Sequence, residues 1–185
     1  MAGNWQKINS KIAYKNPWFR VREDKVKRPD GTQGIYGVVE RPHANFIVAL
    51  VGKNKIIFIE EFRYPIQRVI LQLPAGTTDK GETDLQAAKR ELLQETCYHA
   101  RNWEKIGSFF IAPGHESIVA NIFMATNCVQ VTDAQNQVSD ELIMKVRTIP
   151  IRQMKKMIGE NKIKCGITLA ALNVLFQQIK NGKSQ

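Results

Sequence analysis

GTTDKGETDLQAAKRELLQETCY, residues 76–98, sets three acids, Glu82, Glu91 and Glu95, at fixed spacing around Arg90. Its second half has a helical pattern. Thr83 and Gln86 form a T-x-x-Q capping box, in which hydroxyl and amide satisfy early backbone N–H groups. Leu85, Ala88 and Leu92 follow as an apolar stripe at helical spacing. Residues at i and i+4 share a helical face, so Glu91 and Glu95 aim two carboxylates at one region. The expected helix buries the Leu85 side and presents its acids on another. Adjacent carboxylates repel unless a positive charge sits between them. A hard divalent cation such as Mg²⁺ or Mn²⁺ takes oxygen ligands and meets that need. Upstream, Leu71-Gln72-Leu73-Pro74-Ala75-Gly76 reads as a strand ending in a breaker.

Working outward, 185 residues fit one domain with ample core, and 43% apolar content is ordinary for a globular chain. No apolar run is long enough to cross a membrane as a helix. The opening MAGNWQKINSKIAYKN lacks the apolar region of a secretory signal. Cys97, Cys128 and Cys165 are scattered without C-x-x-C spacing, which fits a reducing, cytoplasmic setting better than zinc or disulfides. The net charge of +10 admits nucleic acid as a partner. The basic residues lack an interleaved aromatic platform, so a basic surface attracting anionic nucleotides is favoured over nucleic-acid binding.

Strand pairs are expected at Trp18–Lys27 with Gly34–Arg41, joined through Pro29-Asp30-Gly31, and at Ala44–Val51 with Lys55–Glu61. Later strands fall at Lys105–Ile111, Asn121–Ala125 and Ile143–Ile149. Helices fall near Ile151–Ile158 and Thr168–Ile179.

The 76–98 segment resembles the Nudix box, G-x5-E-x7-R-E-U-x-E-E-x-G-U with U apolar. Gly76, Glu82, Arg90, Glu91, Leu92, Glu95 and Tyr98 fit in register. Gln94 stands where the pattern has an acid, and Cys97 where it has glycine. Pro17-Trp18-Phe19-Arg20-Val21, Glu61-Phe62-Arg63-Tyr64-Pro65, Leu73-Pro74-Ala75-Gly76 and Ala112-Pro113-Gly114 resemble the ADP-ribose pyrophosphatase branch. Pro113 lies sixteen residues after the Cys97 position, a spacing that marks the branch. Against that branch Gln72 and Ile118 stand where acids are common.

The resemblance implies an α/β fold: a Nudix-type α/β/α sandwich with a mixed sheet and N-terminal antiparallel strands. It implies one domain over 1–185, in which 1–43 is a strand region and candidate dimerisation element and 44–185 is the core. It implies a homodimer acting on a nucleotide sugar with Mg²⁺ or Mn²⁺. Glu91, Glu95 and the Ala75 carbonyl match metal ligands, while Glu82 and Arg90 match supporting residues. Arg63 matches a phosphate-contacting arginine, and a guanidinium fork suits phosphate oxygens in any case. Pro113 and Gly114 join the substrate-binding set. Trp18 and Tyr36 are candidate adenine partners, although core packing is the commoner role for such a residue. The general base is sought in Val138-Ser139-Asp140-Glu141-Leu142, with Glu141 preferred to Asp140.

The leading expectation is hydrolysis of ADP-ribose to AMP and ribose 5-phosphate. The alternatives are a Nudix hydrolase of another nucleotide sugar, a dinucleotide or an RNA 5′ end, and a non-catalytic nucleotide-binding domain.

Overall fold

The computed structural model describes residues 4–131 and 143–182. The chain forms two compact units, residues 1–43 with 109–119, and residues 44–108 with 120–185.

The first unit is built on an antiparallel sheet of β1 (Gln6–Lys15), β2 (Arg20–Lys27) and β3 (Gln33–Glu40) in that order. β2 and β3 pair without interruption from Arg20↔Glu40 to Lys27↔Gln33. Their turn is closed by Asp30, whose carboxylate accepts the Thr32 N–H at 2.9 Å, while Gly31 adopts φ +88°. β1 was not expected from the sequence. Its ten residues QKINSKIAYK are all exposed, so no buried face announces a strand. It is held by pairing with β2 and by Asp24, which is buried and accepts hydrogen bonds from Ser10 Oγ and Arg22 Nε.

The second unit is built on a seven-stranded sheet. β4 (Ala44–Val51) and β5 (Lys55–Arg63) lie at its centre, with β10 (Ile143–Pro150) beside β5 and β9 (Val119–Gln130) then β8 (Tyr98–Phe110) beyond β4. β6 (Arg68–Gln72) pairs with β5, and β7 (Ala75–Thr77) with β4. β4 runs parallel to β9, so the sheet is mixed. Among the described residues three α-helices complete the fold: α1 (Asp84–Thr96), α2 (Ile151–Gly159) and α3 (Gly166–Lys180). The architecture is the expected mixed α/β type with N-terminal antiparallel strands.

Ile47 through Ala49 and Ile56 through Ile59 are fully buried, the continuous apolar run of strands covered on both faces. Ile47, Ala49 and Ile57 pack with Ala88 and Leu92 of α1 and with Phe123 of β9, while α3 also packs on β4. Each fully buried side chain of this size contributes about 1.5–3 kcal/mol relative to exposure.

Three boundaries differ from expectation. The strand expected over residues 71–76 is two strands. β6 ends at Gln72 and β7 starts at Ala75, because Pro74 has no N–H to continue a ladder. Its carbonyl instead accepts the Ile47 N–H, and the Leu73 N–H donates to Thr168 Oγ1 at 3.1 Å. β8 starts at Tyr98 rather than Lys105, and β9 spans Val119–Gln130 rather than Asn121–Ala125. Polar residues such as Arg101, Asn102 and Asn127 mask their alternation. α1 is capped at its end by Cys97, with φ 57°, ψ 30°, at the position where the resembled pattern has glycine.

Leu92→Ala removes a fully buried side chain at the α1–sheet contact, with an expected loss of about 2–5 kcal/mol. Urea unfolding reads it directly. Leu93→Ala, one residue on but 42% exposed, should stay within about 0.5 kcal/mol of the parent.

Candidate active site

The cap of α1 fixes where the acids begin. Thr83 Oγ1 accepts the Gln86 N–H, and Gln86 Oε1 accepts the Thr83 N–H at 2.8 Å. Seven residues on, Arg90 gathers the loop and the helix. Its Nε and Nη2 donate to the two oxygens of Glu82 at 3.1 and 2.9 Å. Nη2 also reaches the Thr77 carbonyl at 3.0 Å, and Nη1 donates to Glu91 Oε1 at 2.7 Å and Gln94 Oε1 at 3.2 Å. Glu82 Oε2 in turn accepts the Asp79 N–H at 3.1 Å. One guanidinium fork therefore closes the 77–82 loop onto α1.

Consecutive residues of β7 meet the two helical acids. The Ala75 N–H donates to Glu95 Oε2 at 2.9 Å. Gly76 lies so close to Glu91 that a β-carbon there would stand 1.9 Å from Oε1. Only glycine admits the Glu91 carboxylate at this spot. Glu95 departs from the expected exposed face. It is 1% exposed, because its tie to the Ala75 backbone draws it against β7.

A polar network that the sequence did not flag supports the same loop. Asn45 and Asn121 are partners across β4 and β9, and both are buried. Asn121 Nδ2 donates to Asn45 Oδ1 and to Asp84 Oδ2, at 3.1 and 3.0 Å. Asn45 Nδ2 donates to Thr78 Oγ1, which donates to Asp84 Oδ1. The signal available was an Asn at the head of each apolar strand run, Asn45-Phe46-Ile47-Val48 and Asn121-Ile122-Phe123-Met124.

Of the expected residues, Ala75, Glu82, Arg90, Glu91 and Glu95 come together here. Arg63 ends β5, where its Nη1 pairs with Glu61 Oε1 at 2.7 Å and its Nε donates to Gln72 Oε1 at 3.3 Å. Trp18, Pro113 and Gly114 belong to the N-terminal unit. Trp18 is 75% exposed beside a shallow cavity of about 340 Å³, which overturns core packing as its role. Tyr36 packs edge-on against Trp5 and donates its hydroxyl to the Gly114 carbonyl at 2.6 Å. Ile118, at a position where the branch often has an acid, is buried. Glu141 and Asp140 lie outside the described residues.

The donor chemistry suits a hard cation. Glu91 and Glu95 supply carboxylate oxygens one turn apart, against a backbone segment that supplies a carbonyl at Ala75. Among the described residues no three His, Cys, Asp or Glu side chains gather as a metal cluster. Two carboxylates and a carbonyl still fit Mg²⁺, which keeps several waters and takes its remaining oxygens from substrate phosphates.

A NUDIX domain model matches residues 41–165, and the model of a nucleoside diphosphate sugar hydrolase N-terminal domain matches residues 5–39. The chain is 28% identical over 152 residues to the ADP-ribose pyrophosphatase of Bacillus subtilis (strain 168), covering 82% of each. It is 27% identical over 180 residues to the GDP-mannose pyrophosphatase of Yersinia enterocolitica, covering 90% of this chain and 92% of that one. The fold superposes on the crystal structure of an ADP compounds hydrolase with a TM-score of 0.85 at 20% identity, over 100% of this chain and 99% of that one.

The Arg90 pair carries a pH signature. Hydrogen bonding from Arg90 holds the Glu82 carboxyl below its ordinary 4.5, and Glu82 raises Arg90 in turn. A carboxylate depressed by folding stabilises fully above its unfolded pKa, and that stability is lost as pH falls through its folded pKa. Arg90→Met should lower stability near neutrality and flatten the part of the stability–pH curve below the ordinary carboxylate pKa. Urea midpoints measured across acidic pH check both.

Proposed function

This chain belongs to the NUDIX family, and from that premise we infer that it is a divalent-metal-dependent pyrophosphatase cleaving ADP-ribose to AMP and ribose 5-phosphate. The observation that carries this reading is the meeting of Glu95 with the Ala75 backbone and of Glu91 with Gly76, which gathers hard oxygen donors at one place. The relatives named for ADP-ribose and GDP-mannose pyrophosphatase support a nucleotide-sugar substrate.

The ion would be held by Glu91, Glu95 and the Ala75 carbonyl. When bound, Mg²⁺ or Mn²⁺ neutralises the diphosphate, orients it and makes water a better nucleophile. The chain supplies the rest. Arg90 holds the Glu91 carboxylate in place through Nη1. Arg63 pairs with phosphate oxygens. Glu141 takes the proton of the attacking water, whose oxygen bonds to phosphorus as the anhydride P–O bond breaks. The bridging oxygen leaves with the other phosphate. Trp18, Pro113 and Gly114 belong to the substrate side, with Trp18 offering an exposed aromatic face to adenine.

The protein acts as a homodimer through residues 1–43, which leave Ile8, Ile12, Tyr14 and Ile35 exposed on a three-stranded sheet. A cytoplasmic location suits three cysteines scattered without C-x-x-C spacing. Among the described residues no helix is long and apolar enough to cross a membrane.

The GDP-mannose relative favours one second reading, hydrolysis of a different nucleotide sugar by the same residues. The deciding experiment is product analysis with ADP-ribose and Mg²⁺, beside GDP-mannose and a Glu95→Gln variant. The parent should yield AMP and ribose 5-phosphate, and Glu95→Gln should fall by at least about a hundredfold, the upper range for disturbing even a ligand's support. Turnover of GDP-mannose alone would select the second reading. Turnover of neither by a folded parent would overturn both.

A further inference from the structure

In the same unit as the carboxylate pair, a second cluster has a buried acid and a buried amide holding one arginine. The antiparallel register of β5 and β6 sets Gln72 opposite Ile59 and so diagonal to Glu61 on the same face. Arg63, two residues beyond Glu61, shares that face. Three contacts close a ring. Gln72 Nε2 donates to Glu61 Oε2 at 2.6 Å, Arg63 Nη1 meets Glu61 Oε1 at 2.7 Å, and Arg63 Nε donates to Gln72 Oε1 at 3.3 Å. Glu61 and Gln72 are 2% and 4% exposed, whereas the Arg63 side chain is 37% exposed. The ring is anchored from below and reaches the surface only through its guanidinium.

The chemistry of the ring selects the amide. An ionised Glu61 only accepts hydrogen bonds, and Arg63 only donates them. The residue between them must donate to one and accept from the other. A carboxamide does both. A carboxylate accepts only, and would face Glu61 as a second negative charge. An apolar side chain does neither, and removes one donor from Glu61 and one acceptor from Arg63.

We propose that Gln72 is a positioning residue, which fixes the plane of the Arg63 guanidinium so that it engages a substrate diphosphate without any proton uptake at the ring. This rests on the diphosphate reading above. Two N–H groups of Arg63 are committed to Gln72 and Glu61, and a guanidinium so held loses less freedom when it pairs with phosphate oxygens. The amide also adds no charge of its own beside the Glu61–Arg63 ion pair. A carboxylate at residue 72 would add a negative charge next to the bound polyanion.

The test compares Gln72→Leu and Gln72→Glu with the parent, by steady-state kinetics on ADP-ribose with Mg²⁺ from mildly acidic to mildly alkaline pH. Gln72→Leu should raise KM about tenfold, the worth of a hydrogen bond to a charged group, with kcat changed less than about threefold. Gln72→Glu is the conservative rescue. When protonated its carboxyl donates to Glu61 and accepts from Arg63 as the amide does, so its KM should match the parent's in acid. Like charge raises the pKa of such a pair, and KM should climb as pH rises and the second carboxylate forms. A merely structural residue would lower the thermal midpoint yet leave the pH dependence of KM at the parent's. That result, or an unchanged KM in Gln72→Leu, overturns the proposal.

Failure of the pyrophosphatase reading is distinguishable. Should the parent turn over no ADP-ribose, calorimetric binding of ADP reads the same ring. A Kd about tenfold weaker in Gln72→Leu supports it, and an unchanged Kd, or a parent that does not bind ADP, overturns it.

Discussion

Two carboxylates one helical turn apart must be held against a single stretch of backbone, and the second unit is arranged around that constraint. Glu91 and Glu95 repel each other, and Glu95 is buried, which costs free energy unless hydrogen bonds and nearby positive charge offset it. The Ala75 N–H answers Glu95, and Arg90 answers Glu91. Each answer requires a particular geometry upstream. Ala75 can offer its N–H because Pro74 ends β6 and lets the chain re-enter the sheet on β4 rather than β5. Arg90 can reach across because Glu82 grips it bidentately from the loop. The cost of gathering the acids is thus met by backbone and arginine, before any cation is considered.

The loop that carries Glu82 is itself tied from beneath. Asn45 and Asn121 are paired across parallel strands, and they hand hydrogen bonds to Thr78 and Asp84 at the start of α1. Burying Asn45 and Asn121 beside an apolar core is tolerable because they bond to each other and to the half-buried Thr78 and Asp84. It also couples register to chemistry. A slip of β4 against β9 would separate Asn45 from Asn121 and release the base of the loop.

Much of this was legible in the sequence, for identifiable reasons. α1 was legible because capping box, apolar stripe and acid spacing are local, and all act within one helix. β4 and β5 were legible because their residues are apolar and Gly52 marks their turn, and β10 because apolar residues recur up to Pro150. β1 was not, because its ten residues are all exposed and it depends on pairing with β2 through contacts such as Ser10 to Asp24. The Asn45–Asn121 network and the Glu61–Gln72–Arg63 ring were not either. The first joins strands distant in the chain and the second joins neighbouring strands, and in both only the register brings the side chains together. The burial of Glu95 was missed because helical periodicity places a side chain on a face but does not say what packs over that face.

The departures from the Nudix pattern share a physical logic. Gln94 and Gln72 each put an amide where the pattern or its branch has an acid, and each amide oxygen accepts an N–H from an arginine, Arg90 or Arg63. The substitutions therefore remove negative charge while keeping the acceptor that orients the arginine. Fewer carboxylates leave less charge to retain additional cations, and a less negative surround repels a diphosphate less. Cys97 departs differently. It occupies φ 57°, the left-handed region that suits glycine, at a cost of about 1 kcal/mol for its β-carbon. The cap still forms, with the Cys97 N–H bonded to the Leu93 carbonyl at 2.9 Å. The changes at Gln94 and Gln72 thus act on the charge of the site and that at Cys97 on stability alone, so the chain keeps the geometry of the pattern while shifting its electrostatic balance toward its arginines.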